Sequence, residues 1–128
     1  MTVIRQEDLI QSVADSLQFI SYYHPVDFIQ SLHKAYLNEA SQAAKDAMGQ
    51  ILINSRMCAE GKRPICQDTG IVTVFLKIGM DVRFEGGMSV TDMVNEGVRR
   101  AYGHPDNVLR ASILSDPDGK RQNTKDNT

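Results

Sequence analysis

The first half of the chain repeats apolar residues at the spacing of amphipathic α-helices. This spacing runs over 6–22, over 25–38 and over 42–60, with polar residues between the apolar positions. Ser41 is a candidate N-cap for the third segment, and Gly61 is a candidate C′ residue, which closes the helix from just past its C-terminal end. The pattern therefore predicts three consecutive helices that form one helical layer. The side chains expected to face inward are Leu9, Ile10, Val13, Leu17 and Ile20, then Phe28, Ile29, Leu32 and Tyr36, then Ala44, Ala47, Met48, Ile51 and Leu52.

The second half changes to patterns typical of extended backbone. Residues 71–78 are mostly β-branched or aromatic, and both faces of the segment are largely apolar. This predicts a strand that is covered on both sides. Glycines bracket a short second strand at 82–84, and alternation over 108–114 predicts a third.

One more helix is predicted among these strands. Ser89 or Thr91 can cap it, and it runs to about residue 102. From residue 115 the sequence becomes polar, which is typical of a solvated tail. The predicted fold is therefore α+β: an N-terminal helical layer of three helices, followed by strands of a mixed sheet with one further helix.

Length and composition narrow the class of protein. A chain of 128 residues with 41% hydrophobic and 23% charged residues suits one soluble globular domain. The net charge of −2 gives no electrostatic reason to expect nucleic acid or an anionic membrane as a partner. No stretch approaches the ~18 apolar residues of a membrane span, and nothing resembles a signal peptide. The two cysteines do not form a disulfide framework, so we expect a reducing, cytoplasmic compartment.

The most concentrated chemistry lies in four consecutive residues, from Cys66 to Thr69, which carry a thiol, an amide, a carboxylate and a hydroxyl. Pro64 and Gly70 bracket them, which indicates a loop. Polar groups at the mouth of a rigid strand are typical of active sites. The alternative is a capped turn, in which Asp68 and Thr69 bond the backbone and Cys66 is a small buried apolar residue. Because one cysteine has no metal-site spacing, composition alone favours the turn.

Four segments occur in a distinctive order: 63–70 (RPICQDTG), 97–102 (GVRRAY), 109–112 (LRAS) and 123–128 (NTKDNT). In this order they resemble the iron–sulfur (class I) fumarate hydratases and the related L-tartrate dehydratases. The core Cys-Gln-Asp-Thr-Gly is the most specific of them. The resemblance covers nearly the whole chain and is weakest in the first forty residues. It implies that 1–128 is the N-terminal (alpha) portion of a hydro-lyase catalytic domain.

The resemblance also implies a chemistry. These enzymes hold a [4Fe–4S] cluster through three cysteine thiolates and leave one iron open as a Lewis acid for the reversible hydration of fumarate to (S)-malate. Cys66 matches the first cluster ligand. Gln67 and Asp68 match substrate-site residues, with Asp68 a candidate for proton transfer. Arg110 matches the arginine that pairs with a substrate carboxylate.

The family pattern also needs two further cluster cysteines and a C-terminal domain. We therefore expect a partial domain of a larger enzyme that, on its own, binds no cluster and has no hydratase activity. Strand edges left open favour a homodimer. Three alternatives stay open: a dehydratase of tartrate or another dicarboxylate, a non-catalytic assembly module or subunit, and a redox-reactive Cys66 activated by Lys62 and Arg63. Cys58, in the third predicted helix, is expected to be a core or surface residue and not a ligand.

Overall fold

The computed structural model describes residues 1–66, 71–106, 109 and 127–128. Their elements run β1 (Thr2–Arg5), α1 (Gln6–Tyr22), α2 (Val26–Asn38), α3 (Gln42–Gly61), β2 (Val82–Glu85) and α4 (Val90–Tyr102). The α+β class is confirmed. The four predicted helices and the short strand at 82–84 all form, within one or two residues of the predicted bounds. No helix in the described ranges has the length and apolar character needed to cross a membrane.

The chain folds into two compact units. Unit 1 comprises Met1–Gln18 and Gln67–Thr128, and unit 2 comprises Phe19–Cys66. The three helices predicted from the first sixty residues are shared between the two units. Most of α1 belongs to the same unit as α4, whereas α2 and α3 pack against each other in unit 2.

Unit 1 contains a two-stranded parallel sheet made by β1 and β2, with Thr2 paired to Val82 and Arg5 to Glu85. The sequence analysis missed β1. Its four residues are too few to establish an alternating pattern, and a strand this short depends on a partner far along the chain.

The core of unit 1 lies between α1 and α4. Ile10 and Met93 are its largest fully buried side chains. The two helices approach closely at Gly97, where an added Cβ would lie 2.7 Å from Val13 Cβ and 2.8 Å from the carbonyl oxygen of Ile10. Only glycine fits this approach, because carbon atoms in contact lie about 3.5–4.0 Å apart. Ala14, Val98, Ala101, Tyr102 and Leu109 complete the buried cluster.

An ion-pair network crosses the rim of this helix pair. The Arg100 guanidinium, on α4, bonds the carboxylate of Glu7 on α1 and that of Glu96 one turn earlier on α4. Arg99 bonds the second oxygen of Glu96. Hydrogen bonds from Arg100 and Arg99 hold the pKa of Glu96 below its usual range. The network therefore ties the first turn of α1 to the last turns of α4.

The predicted strand at 71–78 is wrong. No strand forms over 71–79, and Phe75 is 91% exposed while Ile71 is 78% exposed. β-branched residues favour extended backbone, but a strand also needs the hydrogen bonds of a neighbouring strand, and here the described partner of β2 is β1. The strand predicted at 108–114 and the tail from 115 lie outside the described residues, except for the buried Leu109 and the last two residues.

The predicted inner faces of unit 2 are also partly wrong. Helix α2 has no buried residue, and α3 buries Ser55 and Cys58. Ile20 at the end of α1 is 62% exposed, and Ile51 on α3 is 44% exposed. Two helices that pack as a pair cover only the seam between them, so apolar positions away from that seam stay in contact with water.

Candidate functional site

The segment that leads to Cys66 begins at the C-terminal end of α3. The helix continues through Gly61, and Lys62 takes the left-handed conformation with φ 47°. The backbone N–H groups of Lys62 and Arg63 both donate to the carbonyl oxygen of Cys58. The expectation that Gly61 closes the helix is therefore wrong by one residue. A side chain in this region costs roughly 1–2 kcal/mol, which the two capping bonds offset.

Hydrogen bonds then hold the residues just before Cys66. The N–H of Ile65 donates to the carbonyl oxygen of Ser21 at 2.8 Å, and its carbonyl oxygen accepts from Asn54 Nδ2 at 3.0 Å. The Sγ atom of Cys58 lies 3.4 Å from the carbonyl oxygen of Pro64. Residues 63–66 therefore form a non-helical connection, as predicted for the start of the loop, and the rest of the predicted loop, 67–70, lies outside the described residues.

The two cysteines have opposite environments. Cys66 is exposed, whereas Cys58 is 6% exposed and lies in the interior of unit 2. The alternative interpretation, in which Cys66 is a small buried apolar residue, is therefore wrong. Of the two positions expected for Cys58, core or surface, the structure shows the core, and its thiol is directed at the carbonyl oxygen of Pro64 and at Asn54 Oδ1, 3.6 Å away.

The other predicted site residues, Gln67, Asp68 and Arg110, lie outside the described residues. Their roles in binding substrate and moving a proton stay predictions. The sequence analysis did not identify Asn54 as a residue that supports the loop. The sequence shows that Asn54 lies one helical turn before Cys58, but it does not show that the Asn54 side chain reaches the carbonyl oxygen of Ile65.

The described residues fit one ligand position of an iron–sulfur cluster. An exposed cysteine on an ordered loop can offer a thiolate. Within the described ranges, however, no three His, Cys, Asp or Glu residues form a group that could hold a metal ion. Since the sequence has two cysteines and Cys58 is buried, a three-cysteine site needs thiolates from outside these 128 residues.

A concave region lies in unit 1, between residues 71–76 and α4. It is an open groove of about 480 Å³, and its described lining is uncharged: Ile71, Val72, Val74, Leu76, Val90, Thr91, Val94, Asn95, Val98, Asn127 and Thr128. A dicarboxylate would meet no cationic partner among these described residues. The predicted substrate residues Gln67, Asp68 and Arg110 lie outside the described ranges, so the predicted substrate site stays a prediction.

Comparison with known proteins agrees with the motif at Cys66. The family model for fumarate hydratase (Fumerase) matches residues 10–128. A putative L(+)-tartrate dehydratase subunit alpha from Methanocaldococcus jannaschii is 34% identical over 89 residues, which cover 70% of this chain and 31% of the relative. The chain thus spans about a third of the length of that relative. Because the family match covers nearly the whole sequence, the chain belongs to the fumarate hydratase (Fumerase) family of iron–sulfur hydro-lyases.

Proposed function

We propose that this chain forms part of an iron–sulfur hydro-lyase that reversibly hydrates fumarate to (S)-malate in a reducing cytoplasmic compartment. The observation that carries the proposal is the family match over residues 10–128, with an exposed Cys66 on an ordered loop in the most specific motif. A cluster thiolate must be accessible and deprotonated, and an exposed position meets the first requirement.

The proposal assigns a role to each motif residue. Cys66 supplies one thiolate of a [4Fe–4S] cluster, and the remaining thiolates come from outside these 128 residues. The cluster, when bound, supplies a Lewis-acidic iron. Arg110 binds one substrate carboxylate through its guanidinium fork, and Gln67 offers an amide to a second polar group of the substrate. Asp68 transfers a proton, a role that requires a pKa suited to the working pH.

Dehydration of tartrate is a second candidate, and the relative from M. jannaschii favours it directly. That protein is named as a putative L(+)-tartrate dehydratase subunit. Tartrate and malate are both 2-hydroxy dicarboxylates, so Gln67, Asp68 and Arg110 suit either one. The same relative is an alpha subunit, which supports an assembly of several chains. We propose a homodimer within that assembly, and a purely structural subunit is the alternative of another class.

Kinetics on the complete natural protein, with any partner subunit, test the proposal. After anaerobic cluster reconstitution, we expect turnover of fumarate and malate, with kcat/KM for malate above that for tartrate. A higher kcat/KM for tartrate than for malate would make the protein a tartrate dehydratase. If neither substrate is turned over, a purely structural subunit is the interpretation that remains. Arg110→Lys keeps the charge but loses the fork, so kcat/KM should fall roughly 10- to 100-fold. The matched control Arg56→Lys changes an exposed arginine on α3 and should leave kcat/KM unchanged.

A further inference from the structure

The backbone before Cys66 forms hydrogen bonds with residues that lie outside the motif at 63–70. At a protein surface, the carbonyl groups of a connecting loop are ordinarily hydrated. Here the carbonyl oxygens of Pro64 and Ile65 also meet two side chains of α3, Cys58 at 3.4 Å and Asn54 at 3.0 Å. The N–H of Ile65 bonds Ser21, at the end of α1, so both polar groups of this residue are fixed.

The two side chains act as a pair. Asn54 and Cys58 lie one helical turn apart on α3, on the same face. The single S–H proton of Cys58 lies between the Pro64 carbonyl oxygen, 3.4 Å from Sγ, and Asn54 Oδ1, 3.6 Å from Sγ, and the Nδ2 atom of the same amide bonds the Ile65 carbonyl. Burial of Cys58 keeps water away from its side of the pair. The contacts therefore fix the position of the peptide that precedes Cys66 relative to the axis of α3.

We propose that Asn54 and Cys58 are positioning residues, which hold the Pro64–Ile65 backbone so that Cys66 is placed in advance for a metal site. The inference rests on the proposed function, in which Cys66 is a cluster ligand. A metal site loses affinity when its ligands are displaced by more than about 0.5 Å. The hydrogen bonds that hold a ligand in place therefore influence how long the metal stays bound.

The test compares variants of the complete protein, with any partner subunit, by two measurements. The first is the rate at which iron passes from the reconstituted cluster to a chelator. The second is the rate at which iodoacetamide alkylates Cys66 in the iron-free protein, followed by peptide mass spectrometry. We expect Asn54→Leu to release iron about 10-fold faster or more, since partners that orient a ligand are typically worth 10- to 100-fold in metal affinity. The alkylation rate of Cys66 should also change.

Three controls separate positioning from general stability. Gln50→Leu removes an exposed amide one turn earlier on α3 and should change neither rate. Ser89→Ala weakens α4 in unit 1 without touching this segment, and it should also leave both rates unchanged. Cys58→Ser keeps a hydrogen-bond donor and should resemble the wild type, whereas Cys58→Ala should release iron faster.

The outcomes are distinguishable. Wild-type rates for both Asn54→Leu and Cys58→Ala would overturn the inference, as would equal effects of Asn54→Leu and Gln50→Leu. If circular dichroism shows that Asn54→Leu does not fold, the contrast between Cys58→Ser and Cys58→Ala decides. If the wild type takes up no cluster, the proposed function fails, and the alkylation rates of the iron-free variants still decide whether the pair positions Cys66.

Discussion

Replacing Gly97 by alanine tests the packing of α1 against α4. The new Cβ would lie 2.7 Å from Val13 Cβ, 2.8 Å from the carbonyl oxygen of Ile10 and 2.8 Å from Val13 Cγ1. Two of these three atoms belong to or adjoin the backbone of α1, so a change of rotamer cannot relieve the overlap. The helices must instead separate by close to 1 Å, and a gap of that size forfeits a quarter to a half of each dispersion contact.

The expected change in the free energy of unfolding has two parts. Overpacking a filled core costs about 1–3 kcal/mol, and three close atoms place Gly97→Ala in the upper part of that range. Alanine regains about 1 kcal/mol of helix propensity over glycine. We therefore expect a net destabilisation of about 1–2 kcal/mol, although the same exchange stabilises an ordinary helix position.

Gly49 on α3 is the matched control. An added Cβ there would meet Tyr36 Cε2 at 3.6 Å, an ordinary van der Waals contact. Gly49→Ala should therefore stabilise the protein by up to about 1 kcal/mol. Urea unfolding followed by circular dichroism measures both variants. Opposite signs support the close approach of the helices, whereas stabilisation by Gly97→Ala would refute it.

Two further predictions concern side chains of α4 and its N-cap. Ser89 Oγ accepts from the N–H of Asp92 at 3.1 Å, so Ser89→Ala should lower the free energy of unfolding by about 1 kcal/mol, and an unchanged urea midpoint would contradict this. The pKa of Glu96 lies below its usual range because hydrogen bonds from Arg100 and Arg99 stabilise its charged form. That contribution is complete above the unfolded-state pKa and is lost as the pH falls through the lower folded-state value. Stability should therefore fall in acid, and Glu96→Gln should flatten this part of the profile measured by unfolding at a series of pH values.

The sequence predicts the helices well because their signals are local. The 3.6-residue period defines α1 to α4, and Ser89 is the N-cap that its side chain and position indicate. Met93, Gly97 and Ala101 are buried at the helical spacing of four residues on α4. These features depend on residues three or four positions apart, which a single sequence displays directly.

Features that depend on distant partners were not predictable in the same way. The segment over 71–78 has the composition of a strand but lacks a ladder in the described structure, whereas the short β1 finds its partner some eighty residues later. The exposed side chain of Phe75 shows the same limit, since burial depends on what covers a segment. Neither a period nor a composition specifies that partner.

The candidate site contains both features that a local motif predicts and features that depend on distant residues. The motif identifies Cys66 and indicates that its surroundings form a loop. Asn54 and the backbone of Ser21 support that loop from elsewhere in the chain. Residues that support a loop in this way have no sequence motif. The loop needs only a hydrogen-bond donor or acceptor at the right place, and many residue types can supply one.

The most direct test of the central claim is the cluster content of Cys66→Ser beside that of Cys58→Ser, in the complete protein reconstituted under anaerobic conditions. Iron per chain and the absorption and electron paramagnetic resonance spectra report the cluster. If Cys66 is a ligand and Cys58 a core residue, Cys66→Ser loses the [4Fe–4S] signature and Cys58→Ser retains it. A Cys66→Ser variant with the full iron content and an unchanged spectrum would contradict the account.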